Sequence, residues 1–349
     1  MNLKTSLSIA FFLASTSLIA TSHAQTKTLY IGMNGGTMEK NYTTHIFPAF
    51  EKAHGVKVVV IPGVSRETLA KMQAQKEKQQ LQVAFLDEEV MRRAVSMGMC
   101  EKLNSPAVLN QIDPAARLPG DVGAAIAFNV VGIGYNKKMF DERGWAAPDS
   151  WASLSDPKYK GKVVFNSMGS TFGLYSFVMF NRTVGGAENN FDPGLQRWPS
   201  TVGSNVSQYI SNSGRMSEML QTGEAGLFPI TPTVVATLKN QGIAAEYAIP
   251  KEGSVLYRVG ACVVKNGPDQ DIAQKMVEYL LSADAQVKAM EHAYIIPTNT
   301  NVKRTPGKAK VGDIDQLMKN AVTPDWDALG KATPDLIKRW NRTIETNAK

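Results

Sequence analysis

Residues 131–165, VGIGYNKKMFDERGWAAPDSWASLSDPKYKGKVVF, place two strands on either side of a short connector rich in turn residues. Val131, Ile133 and Tyr135 alternate with small residues, as a strand requires. Lys137 to Arg143 reads as a short helix, and Pro148 ends it. Trp151, Leu154, Asp156, Pro157, Tyr159 and Gly161 then form W-x-x-L-x-D-P-x-Y-x-G, which runs into the apolar strand Val163 to Phe165. The first strand leaves one domain and the second opens another.

The chain on either side is built in the same alternating way. Thr28 to Gly32 reads as a strand, Met38 to His54 as a helix stopped by Gly55, and Val56 to Ile61 as a continuous buried strand. Ser65 is expected to cap the next helix, followed by a strand at Gln82 to Leu86 and a helix at Glu89 to Met97. After Asn129 the pattern restarts, with strands at Val163 to Phe165 and around Leu227 to Ile230 and helices such as Thr171 to Asn181 and Ser217 to Gln221. Ser254 to Val264 is long and extended, and Tyr294 to Thr300 crosses again. This repetition predicts an α/β protein with doubly wound, mostly parallel sheets in two lobes joined by several crossovers.

Four further segments join W-x-x-L-x-D-P-x-Y-x-G in register. They are F-P-A-F-E-K-x-x-G-V-K-V at Phe47 to Val58, P-K-E-G at Pro250 to Gly253, I-P-T-N at Ile296 to Asn299, and D-L-I-K-R-W-N-R at Asp335 to Arg342. Together they resemble the extracellular solute-binding proteins of ABC importers, in the branch of spermidine/putrescine and ferric-ion binders. The resemblance implies a two-lobed periplasmic-binding-protein fold of type II. It also implies a monomer that closes on a small solute and hands it to an ABC permease and its ATPase. Residues 25–128 with 258–296 are expected to form lobe 1 and 129–257 lobe 2, with 297–349 a returning crossover and helices packed across both.

Residues 1–24 hold Lys4, no acidic residue, an apolar run through Ile9 to Ala14 and Ile19, and Ser22-His23-Ala24. They read as a signal peptide cut after Ala24, leaving Gln25 first and the protein in the periplasm. The remaining 325 residues carry 37 basic and 31 acidic side chains. That is a modest, scattered excess with no aromatic-interleaved basic patch, so no nucleic-acid partner is expected. Cys100 and Cys262 could bridge in an oxidising compartment. Cys262 lies in an apolar strand and reads as a small buried hydrophobe, so two unbridged thiols are expected.

In open α/β sheets a solute lies beyond the carboxyl ends of the strands, where helix N-termini present free N–H groups. That rule nominates Asn34, Gly35, Gly36 and Thr37 after the first strand, Ser65 after the second, and Asp87 and Glu88 after the third. From the second lobe it nominates Ser170, Thr171 and Thr231, with Asn129 at one crossover and Tyr257 and Arg258 at the other. Each has a bland rival as a turn or a cap. Asp87 or Glu88 facing the cleft would pair with an amine, and Tyr257 would stack on it. In polyamine binders the stretch after P-K-E-G resembles this one but supplies a Trp and then an Asp, where this chain has Tyr257 and Val259. Arg258, if it faced the cleft, would favour a carboxylate or phosphonate instead. The expected solute is amine-bearing, polyamine-like or zwitterionic, the alternatives being an organic anion (a carboxylate or phosphonate) and, after it, ferric ion.

No cofactor, resident metal or enzyme activity is expected, and a metal solute could be held only through the cleft carboxylates and Tyr257. The adjacent Tyr pair common in ferric-ion binders is missing, as are H-E-x-x-H, C-x-x-C and G-x-S-x-G. Gly132-Ile133-Gly134 lacks the third glycine of a dinucleotide loop.

Overall fold

Residues 124–136, AAIAFNVVGIGYN, carry no charge over 13 positions, and they form a single strand buried along its whole length. A strand of that length outruns one lobe, and its partners change part-way. The computed structural model describes residues 27–303 except 212, and residues 314–345. The signal-peptide reading of 1–24 lies outside the described residues.

Ten strands are described: β1 Lys27–Met33, β2 Val56–Pro62, β3 Val83–Asp87, β4 Ala124–Asn136, β5 Val163–Asn166, β6 Val206–Ile210, β7 Leu227–Ile230, β8 Ala245–Ala248, β9 Ser254–Val263 and β10 Ala321–Val322. They run in the order β2-β1-β3-β9-β4-β7-β5-β6, with β10 on β9 and β8 on β4. Strands β1, β2 and β3 are parallel to one another, as are β5, β6 and β7. The crossover strands differ: β9 is antiparallel to both β3 and β4, and β4 is antiparallel to β7. Each lobe is therefore a parallel trio completed by antiparallel crossover strands, because one of these carries the chain out and the other brings it back. Ala124 to Val131 of β4 pair with β9, whereas Gly132 to Tyr135 pair with β7.

Gly132 and Gly134 lie in mid-strand, where a Cβ on either would strike Tyr247 or Phe228. Their small size is used for packing. Tyr247, pressed against Gly132, hydrogen-bonds Ser254 Oγ of β9 at 3.0 Å.

The helix expected over 38–54 is divided. Thr37–Asn41 is α-helical, Tyr42–Ile46 is a π-helical turn, and the α-helix resumes at Phe47–His54. Pro48 has no N–H to offer the carbonyl four residues back, and the Phe47 N–H bonds Tyr42 O, five residues back. The connector motif and P-K-E-G meet directly. The buried Trp151 indole donates to Gly253 O at 2.9 Å, and Glu252 accepts from Trp151 N at 3.1 Å and Ser150 Oγ at 2.5 Å.

The closing helix Trp326–Thr343 touches both lobes. Its Asp327 meets Arg92 of the first lobe at 3.1 Å, and Trp340 packs edge-on against Trp198 and Phe177 of the second.

Cys100 and Cys262 are joined by a disulfide, with Cα atoms 5.7 Å apart, which corrects the expectation of unbridged thiols. The chain after helix Glu88–Ser96 runs back beside β9, where Cys100 forms a bridge with Val264. A separation of 162 residues concealed that neighbourhood from the sequence.

Candidate functional site

All six parallel strands end at one cavity of about 550 Å³. From the first lobe, β1 delivers Asn34, Gly35, Gly36 and Thr37, β2 delivers Gly63 and Val64, and β3 delivers Asp87. From the second, β5 leads to Asn166, Ser170 and Thr171, β6 to Ser211 and Gly214, and β7 to Thr231 and Thr233. Asn129 of β4 and Tyr257 of β9 are register partners at the middle of the two crossovers, and both line the cavity.

Asp87 is 3% exposed and joins the two walls. Its Oδ2 accepts from Asn34 Nδ2 at 3.3 Å, Ser65 Oγ at 3.0 Å and Thr171 Oγ1 at 2.5 Å. The last bond crosses from one lobe to the other. Burial pushes the Asp87 carboxyl above its ordinary range, while the three donors and nearby Arg66 pull the other way. A carboxylate has about four acceptor positions, so these donors leave capacity for a further cation.

Of the nominated residues, three do not line the cavity. Ser65 is buried behind Asp87, donating to its Oδ2 and accepting from its N–H at 3.1 Å. It is therefore not the helix cap expected from its position. The N-cap of helix Ser65–Ala74 is Val64, and Glu67 Oε2 accepts the Val64 N–H at 3.2 Å. Glu88 and Arg258 are paired with each other through both Nε and Nη2 of the guanidinium. Arg258 also donates to Ala115 O at 3.0 Å, and Glu88 accepts from Arg92 at 2.9 Å. Successive strand residues face opposite sides of a sheet, so Tyr257 and Val259 reach the cavity while Arg258 is turned away.

Sequence reasoning missed several cavity residues. Glu39 and Glu67 line it from the first turns of the helices that follow β1 and β2, and their position just behind the strand ends was a usable signal. Asn41 and Tyr42 were hidden inside an expected helix, and Phe172, Val259 and Ile295 looked like ordinary core.

The walls differ in charge. The first lobe contributes Glu39, Glu67 and Asp87, and no Lys, Arg or His lines the cavity among the described residues. The second contributes hydroxyl and amide groups and the starts of the helices Thr171–Thr183, Ser213–Gln221 and Pro232–Asn240. In the first of these Ser170 Oγ takes the Gly173 N–H at 3.1 Å, which leaves the N–H groups of Thr171 and Phe172 without helical acceptors. Such termini favour negative charge. Tyr257 stands between the walls, its ring edge-on to Tyr175 at 5.3 Å, and burial holds its hydroxyl protonated well above the usual range.

Just outside, Arg66 reaches from the first lobe to Gly169 O of the second at 2.9 Å while paired with Glu89 at 2.6 Å. Burial raises the Glu89 carboxyl, with Arg66 the strongest opposing influence. No cluster of three or more His, Cys, Asp or Glu that could hold a metal occurs among the described residues.

Residues 45–314 match the model of the bacterial extracellular solute-binding protein family. The chain belongs to this family. Among its relatives, this solute-binding protein is 22% identical over 317 residues to a Salmonella typhimurium LT2 protein provisionally named as 2-aminoethylphosphonate-binding and periplasmic, covering 86% of this chain and 87% of that one. It is 24% identical over 271 residues to the spermidine/putrescine-binding periplasmic protein of Escherichia coli K12, covering 72% and 74%. The fold is shared with the periplasmic binding protein AfuA of Actinobacillus pleuropneumoniae, solved with fructose-6-phosphate bound. That match has a TM-score of 0.76 at 23% identity and covers 92% of this chain and 98% of that one. These relatives are transport proteins, not enzymes, and the architecture is the two-lobed fold that the sequence motifs resembled. No described helix is long and apolar enough to cross a membrane.

Proposed function

We propose that this solute-binding protein is exported by cleavage after Ala24 and closes on a zwitterionic solute carrying a primary amine and a compact oxyanion, which it delivers to an ABC permease and its ATPase in the inner membrane. The observation that carries the reading is the opposition of the two walls. Three carboxylates line one wall, and the other offers hydroxyls, amides and helix N-termini without a carboxylate, with no cationic side chain among the described lining residues. An amine pairs with Asp87, and a phosphonate or carboxylate takes the backbone N–H groups at the helix starts, those of Thr171, Phe172 and Thr233. Such a solute touches both lobes only when they are closed, and that difference in affinity is what shifts the equilibrium. The names of the relatives support both halves, one pointing to an aminophosphonate and another to polyamines.

The second reading, a polyamine, is favoured by the three carboxylates alone. The two separate in a thermal-unfolding series with 2-aminoethylphosphonate, putrescine, ethylphosphonate and inorganic phosphate. A ligand at a hundred times its Kd adds about 2.7 kcal/mol. The zwitterion reading expects a large shift with 2-aminoethylphosphonate and a small one with either half. A shift with putrescine alone would overturn it.

A further inference from the structure

Two amide side chains on the cavity wall have atoms with no partner. Asn41, on the first lobe, is 9% exposed, and Asn166, at the end of β5, is 2% exposed. Asn41 Nδ2 and Asn166 Oδ1 are buried and have no hydrogen-bond partner among the described residues. Buried polar groups are nearly always paired, so each orphan needs a reason.

Other asparagines of the interior are treated differently. The Nδ2 group of Asn205 reaches Leu154 O at 2.9 Å, that of Asn299 reaches Leu281 O at 2.9 Å, and that of Asn181 reaches Asn190 O at 3.0 Å. Even on the cavity wall, Asn34 is held by Asp87. Gln79 Oε1 and Ser176 Oγ are also unpartnered, but neither residue lines the cavity. Away from the cavity even Gln79 keeps one bond, its Nε2 donating to Met72 O at 2.6 Å, whereas the two open amide atoms on the cavity wall stand where a solute would lie.

One open group is a donor on the first lobe and the other an acceptor on the second. A hydroxyl is the smallest uncharged group that meets both needs, accepting from an N–H and donating to a carbonyl. The cavity of about 550 Å³ has room for roughly eighteen water-sized groups at ~30 Å³ each, more than a two-carbon zwitterion fills. We infer that Asn41 and Asn166 are specificity-determining residues that read one or more hydroxyls on the solute, so that the preferred ligand is a hydroxylated amine-and-oxyanion compound. This rests on the zwitterion reading and narrows it.

The test uses two pairs of solutes differing by one hydroxyl: 2-aminoethylphosphonate with 2-amino-1-hydroxyethylphosphonate, and β-alanine with isoserine. Calorimetry on the whole mature protein is expected to give the hydroxylated member at least ~10-fold tighter binding, because a site built for a hydroxyl rejects the analogue lacking it. In Asn41→Ala and Asn166→Ala that preference is expected to shrink to within about 3-fold. Asn41→Leu and Asn166→Leu supply a readout without ligand. Removing a buried unpaired group of similar size should leave the melting temperature of the unliganded protein unchanged or raise it. Equal binding within each pair, or a fall of several degrees in both Leu variants, would overturn the inference while leaving the zwitterion reading intact. If no member of either pair binds, the zwitterion reading itself fails, and the melting temperatures still decide whether the two amides support the fold or await a partner.

Discussion

On one side of the cavity three parallel strands lead to Asn34, Gly63 and Asp87, and on the other three lead to Asn166, Ser211 and Thr231. The construction is the same, since in both lobes a parallel strand runs into a turn and a helix. The chemistry is opposite. In the first lobe carboxylates stand beyond the strand ends, Glu39 and Glu67 in the first turns of the helices after β1 and β2 and Asp87 at the N-cap position of helix Glu88–Ser96, where its side chain makes no cap bond. In the second, small hydroxyl residues stand there: Ser170 caps its helix through the Gly173 N–H, while Thr231 makes no side-chain cap bond. A repeated fold element therefore sets where a solute can sit, and on the proposed reading two or three residues beyond each strand set which end of the solute each lobe holds.

The sharpest form of the comparison is between neighbours. Asp87 and Glu88 are both nearly fully buried acids, yet one lines the cavity and the other is bound to Arg258 on the far face of the sheet. Glu88→Gln should therefore cost stability and spare binding. Removing one partner of a buried ion pair costs about 3–5 kcal/mol, read as a lower midpoint in urea, with solute affinity within about 3-fold of wild type. A large loss of affinity at unchanged stability would move Glu88 into the site.

The disulfide sharpens the same separation of support from recognition. Cys100→Ser with Cys262→Ser is expected to lower stability by about 2–4 kcal/mol, since the bridge constrains a long loop of the unfolded chain. Neither cysteine lines the cavity, so calorimetric affinity should not change.

The pH dependence follows from Asp87. Its carboxyl is raised by burial in the folded protein, so its contribution to the stability of the unliganded protein is present in acid and lost as pH rises through the raised value. A bound amine favours the ionised form, so binding runs the other way. Amine affinity should weaken as pH falls through that value, approaching about tenfold per pH unit below it, and Asp87→Asn should flatten the profile. An affinity that improves in acid would contradict the pairing.

The motifs that carried the family resemblance proved to be mostly supports. Trp151 and Glu252 tie the connector to the P-K-E-G turn, Thr298 of I-P-T-N donates to Ala125 O, and Trp340 of the tail packs on Trp198. These contacts need particular residues at particular spacings, which is why the fold could be read from the chain. The cavity was legible as far as strand ends are legible, and ten of the thirteen nominated residues line it. Side-chain direction was not: whether Arg258 or Tyr257 faces the cavity depends on the phase of β9, and one residue of slip reverses both. Asn41 and Tyr42 stayed hidden because a π-helical turn changes which residues of an otherwise regular helix point inward. The Cys100–Cys262 bridge depends on tertiary proximity alone.

The central claim is that the first-lobe wall reads the positive end of the solute through Asp87. The most direct measurement is a calorimetric cycle of wild type and Asp87→Asn against 2-aminoethylphosphonate and ethylphosphonate, which differ only in the amine. The account predicts a loss of about 100-fold or more for the zwitterion in the variant, from a charge left buried and unpaired, and a change within about 3-fold for ethylphosphonate. Equal losses for both compounds, or no loss for the zwitterion, would contradict it.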